Sequence, residues 1–241
     1  MENWPWCHNA VLIVSNVNLT ENDGVMKPTR FLNSSVRDYV LNINNDYRYM
    51  KMGYYVSLHA EVLGNPVVPR SENAIDSYRH PVLLIKAAKH GISTLPYMVT
   101  DSARQLIKNF GFPMLIFAVN PFSNGGYRIA NNETALYRAL KSFGLNHKFA
   151  VCAQPLRGKM VSVKTMFGKS GCNGLSEEIS KKFYEVFKLP ICRLHIQECD
   201  GEAYLCGAQK IEIEELTPVD LKLITEEIAQ ISKIGEKYWL R

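Results

Sequence analysis

The chain alternates short apolar runs with amphipathic stretches of helical period. AVLIVS (residues 10–15) and YVLNI (Tyr39–Ile43) read as buried strands, and the Asn-, Asp-, Gly- and Pro-rich residues 16–30 between them read as loop. Residues 53–63 place Tyr55, Val56, His59, Ala60 and Leu63 at helical spacing, and Gly64 follows where a left-handed C-terminal residue sits. Val67 and Val68 make a short strand. Residues 81–90 open on Pro81 and stop before Gly91, the usual asymmetry of a helix.

From Leu95 the same grammar repeats. Residues 97–100 are strand-like, Asp101 is the expected cap of a helix to Phe110 that Gly111 ends, and MLIFAV (residues 114–119) is a fully buried strand. Residues 120–126 (NPFSNGG) form a turn, Tyr127–Ala130 a returning strand, and residues 133–143 a helix closed by Gly144. Residues 149–153 and 160–166 are expected to pair as a hairpin around Arg157 and Gly158. The last third reads as a helix (176–187), a strand (191–197), a turn at Asp200 and Gly201, and a strand (203–213). Thr217, Pro218 and Asp220 then open a final helix as cap, first-turn proline and capping-box acid. Strands and helices alternate throughout, so the fold class is α/β or α+β.

Composition narrows the class. With 241 residues, 46% hydrophobic and 21% charged, the chain can bury a core and is neither disordered nor a disulfide-knotted peptide. No uncharged apolar run exceeds about 12 residues, too short to span a membrane. Lys and Arg number 28 against 23 acids, and the resulting +5 is spread without a like-charge block, which gives no footprint for nucleic acid. The six cysteines contain no C-x-x-C pair, and Met1 to Cys7, with Glu2 and Pro5, lacks the form of a signal peptide. Reduced thiols in a cytoplasm are expected, with no metal site.

The densest polar and aromatic cluster is NINNDYRYMKMGYYVSLHAE, residues 42–61. A strand delivers Asn42, Asn44 and Asn45 to its carboxyl end, where open α/β sheets hold ligands. Arg48, Tyr49, Tyr54, Tyr55 and Ser57 follow at the entrance to a helix, where backbone N–H groups favour an anion. Asn44, Arg48, Tyr49, Tyr54, Tyr55 and Ser57 are therefore the candidate ligand-binding set, with an anionic small molecule or peptide as the ligand. The competing reading has the tyrosines covering the sheet and Arg48 paired with Asp46 or Glu61.

This run, extended to NINNDYRYMKMGYYVSLHAEVLGNPVVP, resembles the RimK-like ATP-grasp N-terminal domain family, and FGKSGCNGLSEEISKKFYEVFKLPICRLHI resembles a second block of it. The resemblance implies a Rossmann-like part with a mixed sheet (1–80) followed by an ATP-grasp-like α+β part (81–241), packed as one unit. It further implies an accessory or substrate-recognition role beside an ATP-grasp catalytic region, in the same or another chain. That region would join a carboxylate to an amine at the expense of ATP with Mg²⁺.

Residues 83–100, 112–140 and 151–166 also look like the first half of an ATP-grasp module, with Ser123, Asn124, Gly125 and Gly126 as a loop over phosphates. Two cations are missing from that pattern: the strand lysine falls at Phe117, and the earlier lysine falls near His80 or Pro81. A compact nucleotide-binding protein would need substitutes such as Lys86 and Lys164. Glu212 and Glu214 are expected as same-face neighbours on a strand, without the asparagine that completes a Mg²⁺ site. Residues 168–171 (GKSG) resemble a phosphate loop but lack its leading glycine, and read as a turn. The chain is expected to end before a second ATP-grasp lobe, which favours an assisting role; a purely structural interaction module is the third alternative.

Overall fold

The computed structural model of the chain describes residues 11–19, 24–119, 126–146, 148–171 and 174–238. Its first layer is a sheet of four strands in the order β2-β1-β3-β4, formed by β1 (Val11–Ser15), β2 (Val25–Met26), β3 (Tyr39–Ile43) and β4 (Val67–Val68). All pairings are parallel, with Val11 opposite Tyr39 and Ser15 opposite Ile43. Because side chains alternate along a strand, the apolar run of β1 serves two faces. Val14 and Val40 pack with Phe31, Val56 and Ala60 under α1 (Pro28–Leu32) and α2 (Met52–Val62). Ile13, Leu41 and Ile43 face the opposite way. The stretch 16–30, expected as loop, thus contains β2 and the start of α1, whose first position is Pro28.

The chain continues through α3 (Ser71–Asp76) and α4 (His80–Lys89) into β5 (Met98–Thr100), α5 (Ala103–Phe110), β6 (Met114–Ala118), β7 (Tyr127–Ala130), α6 (Glu133–Phe143) and β8 (Val151–Pro155). β5, β8, β6 and β7 form, in that order, a wholly antiparallel sheet. Met114, Ile116, Val151 and Ala153 point to α5 and α6, where Leu106, Leu136 and Leu140 meet them. Leu115, Phe117 and Cys152 point to the other side. Ser102, and not Asp101, caps α5: its hydroxyl accepts the Gln105 N–H.

The third sheet, β11-β10-β9, is antiparallel and comprises β9 (Lys159–Met166), β10 (Ile191–Cys199) and β11 (Glu202–Gln209), with α7 (Leu175–Phe187) between β9 and β10. Asp200 and Gly201, at φ 52° and 78°, make the tight turn that joins β10 to β11. β8 and β9 do not form the expected hairpin. β8 lies between β5 and β6, whereas β9 pairs along its length with β10, so Arg157 and Gly158 carry the chain from one sheet to the next. Fold class is α/β as expected, with the first sheet wholly parallel and the other two wholly antiparallel.

A central core joins the last two sheets: Leu115, Phe117 and Cys152 meet Leu194, Ile196 and Leu205, sealed by Leu83, Leu84, Phe183 and Phe187. α8 (Pro218–Tyr238) then returns to the first sheet, where Ile224 and Ile228 pack with Ile13, Leu41 and Ile43 and with Met166 and Ile191. Thr217 and Asp220 cap it reciprocally, as anticipated. Ile224, fully buried, binds the first and third sheets into one structure. Ile224→Ala should cost about 2–5 kcal/mol, and urea unfolding followed by circular dichroism should show a single transition at lower midpoint.

Candidate functional site

The ligand set expected from residues 42–61 separates into an interior and a surface group. Asn42 and Asn44 are buried at the end of β3. The Asn42 side-chain amide donates to the Gly53 carbonyl at 2.7 Å and to Ser57 Oγ at 2.8 Å, and Ser57 donates onward to the Pro69 carbonyl at 2.7 Å. Asn44 donates its side-chain amide to Asn42 and its backbone N–H to the Tyr47 hydroxyl, which donates to the Asn42 carbonyl. This network ties strand to helix. Gly53 permits it, since a Cβ there would lie 2.6 Å from the Asp46 carbonyl oxygen and 2.8 Å from the Tyr47 ring.

Arg48 is 5% exposed and grips Asp46 with both arms of its guanidinium, Nε to Oδ1 at 2.9 Å and Nη2 to Oδ2 at 2.6 Å. The Asp46 carboxylate raises the Arg48 pKa above its usual value. The Arg48–Asp46 pair is that of the competing reading, and the Asp46 carbonyl accepts the Gly53 N–H at the start of α2. Tyr49, Tyr54 and Tyr55 form an outward aromatic row, with ring centroids 5.4 and 5.5 Å apart.

The second locus is the seam between the two antiparallel sheets. His80 and Phe117 occupy the positions where the resemblance places cations. Both are buried, and their rings stack with centroids 3.6 Å apart and planes 23° from parallel. The aromatic layer continues through Tyr127, at 5.9 Å from Phe117, to His195, at 4.9 Å from Tyr127. His80 Nε2 donates to the Cys206 carbonyl at 2.6 Å. Glycine at 207 makes this fit possible: a Cβ there would collide with the His80 imidazole and come within 3.2 Å of Phe117. His195 Nε2 donates to Gln209 Oε1 at 3.1 Å, which leaves Nδ1 to accept from Ser162 Oγ at 3.0 Å. Burial pushes the His80 pKa down to about 3, opposed by the Cys206 carbonyl, and pushes His195 down to about 4.

Of the expected phosphate loop, Ser123, Asn124 and Gly125 lie outside the described residues; Gly126 precedes β7, and a Cβ there would lie 3.9 Å from the Gln209 side-chain amide. The substitute cations are engaged elsewhere. Lys86 pairs with Asp76 at 2.7 Å and donates to Asn73 on α3, while Lys164 on β9 pairs with Asp220 and donates to the Glu215 carbonyl. Glu212 and Glu214 are not strand neighbours, because β11 ends at Gln209 and a 3₁₀ turn follows over Ile213–Glu215, with Glu212 capping it. In the GKSG turn the Glu177 carboxylate accepts from the Ser170 N–H and hydroxyl, where an anion would have sat. Among the described residues no group of three His, Cys, Asp or Glu side chains could hold a metal ion. Burial pushes the Cys152 thiol up to about 12 and Cys206 up to about 11, so neither is a nucleophile near neutrality.

A family model described as RimK-like ATPgrasp N-terminal domain matches residues 29–227, well over half of the 241. The chain belongs to this family. No curated protein matches it by sequence. Solved structures similar to this RimK-like domain include a RimK-domain ATP-grasp protein from Sphaerobacter thermophilus, 13% identical, with a TM-score of 0.63 over 90% of this chain and 99% of that one. The D-alanine–D-alanine ligase of Bacillus anthracis complexed with ATP is also 13% identical, with a TM-score of 0.59 over 92% and 97%. ATP-grasp ligase PsnB, complexed with precursor peptide PsnA2 and AMPPNP, is 12% identical, with a TM-score of 0.61 over 94% and 99%.

The likeness shows the fold, and it spans nearly the whole of these ligases. The expectation that the RimK-like chain stops short of a second lobe is therefore corrected: β9, β10 and β11 supply a second antiparallel sheet facing the first. Sequence reasoning named His80 and Phe117 only as places where cations were lost. Their contact with each other, and with Gly207 some 90 to 130 positions away, carries no local signal.

The neutral histidines give the fold a pH dependence of definite sign. Unfolded histidine titrates near 6.5, whereas His80 in the fold does so at about 3, so below 6.5 the unfolded chain binds the extra proton. The His80 contribution is fully present above pH 6.5 and is lost as pH falls toward 3, amounting to about 2–3 kcal/mol by pH 4.5. His195 adds in the same direction. Urea midpoints measured from pH 7.5 to 4.5 should fall accordingly, and His80→Asn should flatten the slope.

Proposed function

We propose that this RimK-like domain is a non-catalytic module with an ATP-grasp fold, which assists ATP-dependent carboxylate–amine ligation performed by an ATP-grasp catalytic region in the same or another chain. The observation that carries this reading is the His80–Phe117 stack. A nucleotide between two such sheets needs cations against its phosphates and open space for its base and sugar. This seam instead offers neutral rings in van der Waals contact, closed further by Tyr127, His195 and Gln209. These residues do not fit a nucleoside triphosphate.

In this reading ATP, with Mg²⁺, is taken by the catalytic region. The Bacillus anthracis ligase and PsnB, whose structures carry ATP and AMPPNP with a precursor peptide, lend that assignment support by fold. No helix among the described residues is long and apolar enough to cross a membrane, and the described cysteines are free thiols, in keeping with a cytoplasmic setting.

Isothermal titration of the chain with Mg·ATP at millimolar concentration should give no saturable heat, and thermal melting should not shift. Saturable heat with a raised melting temperature would overturn the proposal in favour of a compact nucleotide-binding protein. Phe117→Lys, which restores the lysine in name, should place an unpaired charge in a dry seam. We expect it to lose at least about 3 kcal/mol in urea unfolding, without gaining nucleotide affinity.

A further inference from the structure

Ser162, His195 and Gln209 form a hydrogen-bonded chain across the three strands of the third sheet. Ser162 on β9 stands opposite His195 on β10 in the register, so the two side chains lie on one face, and Gln209 ends β11. The Ser162 hydroxyl bonds His195 Nδ1 at 3.0 Å, and Gln209 Oε1 holds the Nε2–H at 3.1 Å. The ends of the chain differ in exposure: Ser162 is open to solvent, whereas His195 is only 3% exposed. A hydroxyl, a base within hydrogen-bond reach and a third group that fixes the base are the parts of an activated nucleophile.

Two further features fall at the same place. The pairing of β10 with β11 slips between His195 and Ile196, a bulge, which re-aims the side chains around it. β9 is an edge strand, so every second N–H along it points away from β10, and among the described residues no strand pairs with that edge. These N–H groups beside Ser162 are the donors at hand for an oxyanion. Burial, opposed by the Gln209 bond and aided by the Arg193 charge, holds the His195 pKa at about 4. The imidazole is therefore neutral near pH 7, with its lone pair on Nδ1. A fastening role explains less: the Asn42–Ser57 bond, which ties strand to helix, has both partners buried, whereas a hydroxyl already in water gains little from such a bond.

We propose that Ser162 is a nucleophilic acyl acceptor, with His195 as its base and Gln209 positioning that base, and that its donor is a small carboxylic ester with a good leaving group. In the step, a bond forms between Ser162 Oγ and the acyl carbon, and the bond from that carbon to the leaving oxygen breaks. The Ser162 proton passes to His195 Nδ1 and from there to the leaving oxygen, while Gln209 Oε1 holds the Nε2–H of the transient imidazolium. Neither nucleotide nor metal takes part, so the step goes beyond the assisting role proposed above and does not depend on it.

The full chain mixed with p-nitrophenyl acetate should release a stoichiometric burst of p-nitrophenolate. Trypsin digestion and mass spectrometry should then place the acetyl group on residues 160–164, MVSVK, in which Ser162 has the one hydroxyl. Acetylation of Lys164 would block cleavage there and is told apart. Ser162→Ala, at an exposed position, should abolish the burst and the label with melting unchanged. His195→Asn should slow labelling of Ser162 about a hundredfold. Gln209→Glu, whose carboxylate would hold the imidazolium more strongly, should speed it about tenfold, a gain that no fastening role provides and that decides the matter if His195→Asn does not fold. Absence of acetyl from residues 160–164 would overturn the proposal. So would a label that forms as fast in the urea-unfolded chain, or a rate indifferent to Gln209→Glu. Each of these failures leaves the assisting role to be judged by the Mg·ATP titration alone.

Discussion

The contact on which the rest of the molecule depends is the stack of His80 on Phe117. His80 opens α4, Phe117 lies on β6, and the ring of His80 rests in the space that glycine leaves on β11. One imidazole thus joins α4 to β6 and β11, one strand from each half of the seam. Its neutral form is required there, because a proton would leave a charge in a dry, aromatic layer. The Cys206 carbonyl satisfies its one donor.

Around that contact, polar groups serve to fasten elements together. Gln197 donates to the Pro155 carbonyl and accepts the Arg157 N–H, fixing the passage from β8 to β9. Asn45 donates to the Ile211 carbonyl and accepts from the Asn16 side-chain amide, joining the end of β3 to the chain after β11. These bonds are internal, so the two antiparallel sheets and the parallel sheet share one set of restraints.

Much of the local structure was legible from pattern alone. β3 and β7 occupy the residues expected, as do the cap at Thr217, the left-handed glycines at 64 and 91, and the turn at Asp200 and Gly201. These depend on neighbours in sequence. Pairing does not, and residues 149–166 show why: two strands joined by Arg157 and Gly158 satisfy every local condition for a hairpin, yet each finds a longer partner elsewhere. The site was harder still. Arg48 and Ser57 have the chemistry of ligand-binding residues; the pairing of Arg48 with Asp46 was one of two readings open from sequence, whereas the bond of Ser57 to the Pro69 carbonyl had no local sign.

α8 gives this architecture a direction in time. The face of the first sheet that carries Ile13 is covered by Ile224 and Ile228, more than 200 positions later in synthesis. At about 5–20 residues per second that interval is roughly 10–40 s. Throughout it the strands of the first sheet lack the cover that Ile224 and Ile228 supply. The two antiparallel sheets can close on each other while the first sheet still waits, and α8 completes that sheet once it has been made.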